Sequence, residues 1–221
     1  MKVMLWITIA CIYTIIVITG AFDMMDYSIY EKFSGDLHPT VEVMMIGIAS
    51  LADTEILALL SLTTVVILWI GKKLKWIVSY ITIMSCGVIV TLILKLVIKR
   101  DRPGEEVSFI DFWGWGEGII SYSYPSGHGI KSLLFFMFWI IYLQYNYMKT
   151  RKLQITTYAL FLIPILVGIA QIMLGRHYIT DVIGGYLIGI AIITSCTAIF
   201  GATFFGARHP NNSGTIQKIS I

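Results

Sequence analysis

Long apolar runs separated by short polar segments dominate the hydropathy pattern of the chain. Six of these runs are candidate membrane spans, because a helix needs roughly 20 mostly apolar residues to cross a bilayer. They cover residues 3–22, 54–71, 76–98, 127–148, 155–174 and 179–206. The pattern therefore predicts an all-α fold, a bundle of six transmembrane helices in a single membrane domain (1–207), followed by a short polar tail (208–221).

Two longer connections interrupt this pattern. Residues 23–53 mix acidic side chains with Val, Met and Ile, which predicts an interfacial helix between the first two spans; a plain connecting loop is the alternative. Residues 99–125 are rich in Gly, Pro and aromatic side chains, which predicts an ordered loop folded back on the membrane surface. Within it, Trp113 and Trp115 are predicted to lie at the membrane interface rather than to take part in catalysis.

Composition supports membrane insertion, and the distribution of charge indicates an orientation. Only 13% of the residues are charged and 57% are apolar, whereas soluble domains carry about a quarter charged residues. With six crossings and a cytoplasmic N-terminus, all thirteen Asp and Glu lie in outer segments or at outer helix ends. Because Lys and Arg favour cytoplasmic loops, both termini are predicted to be cytoplasmic. The basic residues on the cytoplasmic side are then Lys2, Lys72, Lys73, Lys75, Lys149, Arg151, Lys152, Arg208 and Lys218.

Three polar clusters lie at the outer ends of the predicted spans. One of them, the basic outer segment 95–102, breaks the charge rule and therefore needs a functional reason. Ionisable groups that border a span are functional candidates, because burying them in the bilayer is costly. The clusters are Lys95 with Arg102, Ser126 and Gly127 with His128, and His177 with Asp181.

Two of these clusters suit a phosphate group. Lys95 and Arg102 are cations, and the guanidinium fork of Arg matches phosphate oxygens. Ser126 and Gly127 open a predicted helix, where backbone N–H groups and the helix dipole favour anions. No carboxylates are spaced as a paired Mg²⁺ site beside the histidines, so no metal is predicted.

The third cluster supplies a nucleophile. His177 and Asp181 are four residues apart, so that the carboxylate can hold one ring nitrogen and leave the other free to attack phosphorus. His128 can protonate the departing oxygen. The alternative is that each histidine is merely hydrogen-bonded in the bundle or hydrated at the interface. Two histidines among convergent cations favour catalysis over that alternative.

These residues form patterns that resemble a known family. Lys95-x6-Arg102-Pro103, Pro125-Ser126-Gly127-His128 and His177-x3-Asp181, followed by Gly184-Gly185, are similar to the signature motifs of the type-2 phosphatidic acid phosphatase superfamily. Their order, spacing and placement on spans three to six also agree. The chain resembles the compact bacterial members of this superfamily of membrane lipid phosphatases.

The resemblance implies an enzyme without cofactor or metal. His177 would attack phosphorus and form a phosphohistidine that water hydrolyses, Asp181 would orient it, and His128 would act as general acid. The phosphoryl oxygens would be held by Lys95, Arg102, Ser126 and Gly127. The implied partners are the lipid bilayer and a lipid phosphate of the undecaprenyl pyrophosphate, phosphatidylglycerol phosphate or phosphatidic acid class, on the extracytoplasmic face; undecaprenyl pyrophosphate would suit cell-wall synthesis. No nucleic-acid partner is predicted, and the oligomeric state stays open.

One position departs from the family pattern. The third motif normally begins Ser-Arg, but this chain has Ala170 and Gln171, so that a phosphate-binding arginine is missing. Arg176 is a candidate replacement if Gly175 ends the helix; contact with lipid headgroups is the alternative. Gln171 also supports an alternative function, a catalytically weakened protein that binds or transports a lipid phosphate.

Overall fold

The structure, a computed structural model, describes residues 2–33, 37–104, 121–147 and 150–204, without the side chains of 200–204. This part of the chain is helical and contains no strand. Its eight helices are α1 (Lys2–Ile18), α2 (Asp23–Phe33), α3 (Pro39–Ser50), α4 (Thr54–Ile70), α5 (Leu74–Ile98), α6 (Gly127–Asn146), α7 (Arg151–Met173) and α8 (Ile179–Phe204).

Each predicted span coincides with one of these helices, and the segment predicted to hold an interfacial helix forms two, α2 and α3. The alternative of a plain loop there is wrong. Three helices, α5, α7 and α8, are long and apolar enough to cross a membrane. The number rises to five if the bent pairs α1–α2 (81°) and α3–α4 (44°) each count as one span. The six crossings and the interfacial location therefore stay predictions, and Trp113, Trp115 and the tail 208–221 lie outside the described residues.

Helix α6 forms the centre of the bundle. It packs against α5, α7 and α8, while α1 packs on α8, α4 on α5, and α3 on α7. Three side chains spaced four residues apart on α6, namely Ile130, Leu134 and Phe138, are almost fully buried. Trp76 and Tyr80 of α5 meet the ring of Phe138 edge-on at 5.9 Å and 4.8 Å between centroids. The core thus extends along the length of α6.

Large apolar side chains also cover the outside of the bundle. Leu, Ile, Val and Phe side chains on α1, α4, α5 and α7 are exposed along much of these helices. Water would disfavour an apolar surface of this extent, whereas hydrocarbon accommodates it at no cost. The arrangement is that of a multi-pass membrane protein.

Two glycines on α8 allow the N-terminal ends of α6 and α8 to meet. A Cβ atom at Gly185 would lie 2.9 Å from the backbone oxygen of Ser126, and one at Gly184 would lie 2.5 Å from the ring of Tyr124. Both distances are shorter than real Cβ contacts, so that only glycine permits this approach. The Gly-Gly pair consequently brings the 177–181 segment beside the start of α6.

Candidate active site

His177 and Asp181 face each other where α7 gives way to α8. The Nδ1 atom of His177 lies 3.6 Å from Oδ2 of Asp181 and 3.4 Å from the hydroxyl of Ser123. Its Nε2 atom has no hydrogen-bond partner among the described residues. Burial lowers the pKa of His177 to about 3, so that the imidazole is neutral at physiological pH and keeps a lone pair. The carboxylate thus lies beside one ring nitrogen, although His177 precedes the first residue of α8, Ile179, so that the pair does not lie within one helix.

The turn that presents His177 follows from a glycine. Gly175 has a φ of +65°, a left-handed conformation that glycine adopts without strain. Its N–H donates to the carbonyl of Ile172 (3.0 Å), and the N–H of Arg176 donates to that of Gln171 (3.0 Å). These two bonds form a Schellman motif, which ends α7. The N–H of His177 also donates to the carbonyl of Gln171 at 3.3 Å.

The carboxylate of Asp181 is fully buried and held from three sides. Its Oδ2 atom accepts hydrogen bonds from the backbone N–H of Tyr178 (2.9 Å) and from the hydroxyl of Ser123. Its Oδ1 atom accepts one from Nη1 of Arg100 at 2.8 Å. One bond from a charged donor and two from neutral donors fix the carboxylate as an anion beside the ring nitrogen of His177.

Arg100 connects Asp181 to a second buried carboxylate, Asp26 of α2. Its Nη2 atom donates to Oδ2 of Asp26 at 2.7 Å, and its guanidinium lies 4.7 Å from the ring centroid of Tyr178. Burial opposes the charge of Arg100, but the carboxylates of Asp181 and Asp26 more than offset it and raise its pKa. The guanidinium therefore stays charged between two anions. Neither Arg100 nor Asp26 is among the site residues that the sequence predicts.

Asp26 also completes the N-terminus of α8. Its Oδ1 accepts from the backbone N–H of Thr180 (3.2 Å), and its Oδ2 accepts from the hydroxyl of Thr180 (2.5 Å). The residue that precedes α8, Tyr178, has no acceptor suited to capping, although helix N-termini need one. Asp26 supplies that acceptor from 154 residues away in the sequence.

Lys95 and Arg102 join the segment before α6 to the end of α5. The Nζ atom of Lys95 donates to the carbonyl of Tyr122, and Arg102 donates to the carbonyl (2.9 Å) and the hydroxyl (2.8 Å) of Ser121. Both cations act electrostatically on His177, which indicates that they lie near it. The Nη1 atom of Arg102 has no partner among the described residues. It remains available for a phosphoryl oxygen.

The N-terminus of α6 supplies fewer free donors than the sequence predicts. The N–H of Ser126 donates to the carbonyl of Asp181 (3.0 Å), and its hydroxyl accepts from the N–H of Gly129 (3.3 Å). The backbone donor of Ser126 is thus already used, which corrects part of the prediction. The N–H groups of Gly127 and His128, which open the helix, have no partner in the described chain.

His128 contacts a carboxylate that the sequence does not single out. Its Nε2 atom lies 3.0 Å from Oδ1 of Asp53, the residue that precedes α4. The hydrogen bond from His128 lowers the pKa of Asp53, which is therefore ionised at neutral pH. Arg176 and Lys131 both act electrostatically on this pair.

Gln171, which stands where the family has an arginine, and Arg176, its candidate replacement, differ in their surroundings. Gln171 is fully buried, and neither Nε2 nor Oε1 has a hydrogen-bond partner in the part of the chain that the structure describes. The side chain of Arg176 is partly exposed and makes no hydrogen bond or ion pair with the described residues, but it acts electrostatically on Arg102, His128 and Asp53. Arg176 therefore lies on the side of the site where His128 is found.

Together these contacts gather every predicted site residue at one end of the bundle. A free ring nitrogen, two cations, free backbone donors and a second histidine can bind an anionic group and transfer it in two steps. Three site residues were not predicted from the sequence: Arg100, Asp26 and Asp53. Arg100 could have been found, because it lies in the basic outer segment 95–102 that breaks the charge rule. Asp26 and Asp53 had no such signal, because their partners are 154 and 75 residues away.

Comparison with known proteins gives consistent matches. The model of the PAP2 superfamily matches residues 76–205. Phosphatidylglycerophosphatase B of Bacillus subtilis (strain 168) is 32% identical over 73 residues, which make up 33% of this chain and only 36% of that relative. The crystal structure of a transmembrane PAP2 type phosphatidylglycerolphosphate phosphatase from Bacillus subtilis superposes with a TM-score of 0.74 at 20% identity, covering 91% of this chain and 97% of that chain. Aquifex aeolicus LpxE superposes with a TM-score of 0.57 at 21% identity, covering 77% and 93%. At these identities the two structures show a shared fold.

Proposed function

The chain belongs to the PAP2 superfamily, and on this basis we propose that it is an integral membrane lipid phosphatase that works through a phosphohistidine. The observation that carries the proposal is the buried His177–Asp181 pair, with two cations beside it and with Nε2 of His177 unbonded to any described residue. A protein that only binds phosphate does not need an oriented, neutral imidazole.

The first step is an in-line attack. Nε2 of His177 forms a bond to phosphorus while the bond from phosphorus to the leaving oxygen breaks, and His128 gives its proton to that oxygen. The carboxylate of Asp181, whose Oδ2 lies 3.6 Å from Nδ1, stabilises the positive charge that develops on the ring. Water then attacks phosphorus with His128 as base, which releases orthophosphate and restores His177.

Fixed positive groups stabilise the charge on the transferred phosphoryl group. The proposed ligands are Lys95, Nη1 of Arg102, the hydroxyl of Ser126 and the backbone N–H of Gly127, joined by that of His128. Arg176 is proposed as the accessory cation that partly replaces the missing arginine, because it acts electrostatically on both Arg102 and His128. We propose that no metal takes part; in the described residues, no group of three His, Cys, Asp or Glu side chains is suited to hold one.

The proposed substrate is a lipid phosphomonoester or diphosphate of the phosphatidylglycerol phosphate, phosphatidic acid or undecaprenyl pyrophosphate class. The name of the Bacillus subtilis relative favours a phospholipid. Six crossings with both termini in the cytoplasm would put the site on the extracytoplasmic face, in agreement with the distribution of Lys and Arg. Phosphate release from a panel of these lipids, in one detergent and at matched surface concentration, ranks the candidates.

The decisive experiment uses the nucleophile. Purified protein should release phosphate from at least one lipid of the panel, and His177→Ala should abolish release. With radiolabelled lipid phosphate, a base-stable and acid-labile label should accumulate on the wild-type chain and be absent from His177→Ala. Sustained turnover by His177→Ala would refute the mechanism.

A binding or transport protein is the second candidate, and the observation in its favour is Gln171. Its buried amide stands where the family has an arginine, which weakens the charge stabilisation that turnover requires. The variant Gln171→Arg distinguishes the two functions. Measurable wild-type turnover that rises in this variant supports an enzyme, whereas undetectable turnover together with tight lipid-phosphate binding supports the alternative.

A further inference from the structure

Asp53 occupies a helix-capping position without capping the helix. It precedes α4 in an extended conformation, and Asp is among the best residues for this position. Its side chain nevertheless makes no capping hydrogen bond. Its Oδ1 atom instead lies 3.0 Å from Nε2 of His128 on α6. A cap stabilises a helix by about 1 kcal/mol, so this carboxylate forgoes a local bond for a contact with His128 75 residues away.

This contact determines which nitrogen of His128 can deliver a proton. Nε2 donates its hydrogen to the carboxylate of Asp53, so that the transferable proton resides on Nδ1. Nδ1 has no hydrogen-bond partner among the described residues. An anion beside the ring also favours the imidazolium, the form that a general acid must have before the reaction.

The other charged groups around His128 and Asp53 cannot stabilise a protonated His128 in place of Asp53. Lys131 donates to the hydroxyl of Thr54 (3.0 Å) and acts electrostatically on Asp53 and Glu55. Arg176 also acts on the pair. Both are cations, which disfavour the imidazolium of His128. Asp53 is therefore the group at hydrogen-bond distance that stabilises the protonated ring.

We propose that Asp53 is a positioning residue for the general acid His128, and thereby determines how well the enzyme expels poor leaving groups. The inference rests on the proposed function. As the bond from phosphorus to the leaving oxygen breaks, the Nδ1 proton passes to that oxygen and the ring becomes neutral while still donating to Asp53. In the second step the same nitrogen takes a proton from the attacking water, which returns the ring to its charged form.

The test compares two substrates that differ in their need for an acid. A dialkyl phosphatidic acid has a poor alkoxide leaving group, whereas nitrophenyl phosphate has a leaving group that departs without protonation. Asp53→Asn should reduce kcat for the lipid by about ten- to a hundred-fold, part of the contribution of general acid catalysis. It should change the burst of nitrophenol release, which reports formation of the phosphohistidine from the aryl phosphate, by less than about threefold. Asp53→Glu should restore part of the lipid activity.

Control variants distinguish the positioning of His128 by Asp53 from a purely structural contribution of Asp53. Glu55→Gln, which removes a carboxylate from the first turn of the same helix, should leave both reactions unchanged. In the double variant with His128→Ala, Asp53→Asn should cause no further loss, because both changes act through one proton transfer. Equal losses on both substrates, or additive losses in the double variant, would overturn the inference. A wild-type protein that hydrolyses neither substrate would instead refute the proposed function.

Discussion

Gln171→Met is predicted to stabilise the folded protein and to slow its turnover. Met keeps the length of the side chain and removes an amide whose two polar atoms are buried without a partner. An unsatisfied buried polar group costs about 1–3 kcal/mol, so the free energy of unfolding of the ligand-free protein should rise by roughly that amount.

Turnover should change in the opposite direction. If the amide Nε2 donates to a phosphoryl oxygen, a hydrogen bond to a charged group is lost, worth about 1.5–3 kcal/mol. Where that bond tightens in the transition state, kcat falls by about ten- to a hundred-fold. A more stable and slower variant would identify Gln171 as a residue whose burial serves the substrate rather than the fold.

The assay combines thermal unfolding in detergent, with and without inorganic phosphate, and phosphate release from phosphatidic acid. Phosphate should stabilise the wild type more than Gln171→Met. The matched control is Gln154→Met, which changes an exposed glutamine near the start of the same helix and should alter neither property. Unchanged stability and unchanged turnover in Gln171→Met would refute the reasoning, because the amide would then neither be unsatisfied nor contact the substrate.

Three further predictions concern the frame of the site. Arg100→Lys keeps the charge but cannot bridge two carboxylates; we expect turnover to fall at least about tenfold and the unfolding temperature to drop, and wild-type values would contradict the bridging function. Gly185→Ala inserts a methyl group 2.9 Å from the carbonyl of Ser126 and should cost about 1–3 kcal/mol, whereas Gly47→Ala, with open space around its Cβ position, should be tolerated in the same unfolding assay. Because burial lowers the pKa of His177 to about 3, below about 6.5 in the unfolded chain, stability should be complete above the unfolded value and decline as the pH falls toward the folded one. The stability of His177→Asn should decline less between these two pH values. A pH dependence identical to that of the wild type would contradict the prediction.

The sequence predicted the helices better than it predicted the contacts among them. Apolar runs of sufficient length coincide with α1 and α4 to α8, because hydropathy and helix length are local properties. Gly175 at the end of α7 was considered only as a condition for Arg176 to approach the site, and its left-handed conformation there is a local signal of a helix end.

Contacts between residues far apart in the chain could not be predicted from the sequence. The capping of α8 by Asp26 and the pairing of His128 with Asp53 depend on how distant helices pack. The prediction for Ser126 was incomplete for the same reason, because its N–H bonds to the carbonyl of Asp181 on another helix. Local patterns identify which residues carry chemistry, and the packing determines which of their donors and acceptors remain free.

The bond between Asp26 and Thr180 constrains the order in which the protein can be built. Asp26 is synthesised before its partner Thr180, which emerges 154 residues later. During this interval Arg100 becomes available first, because it precedes Thr180 in the chain. The nucleophile can therefore be held in place only after α8 has been made and has docked onto α2. A nascent chain that stops short of α8 therefore has no assembled catalytic centre.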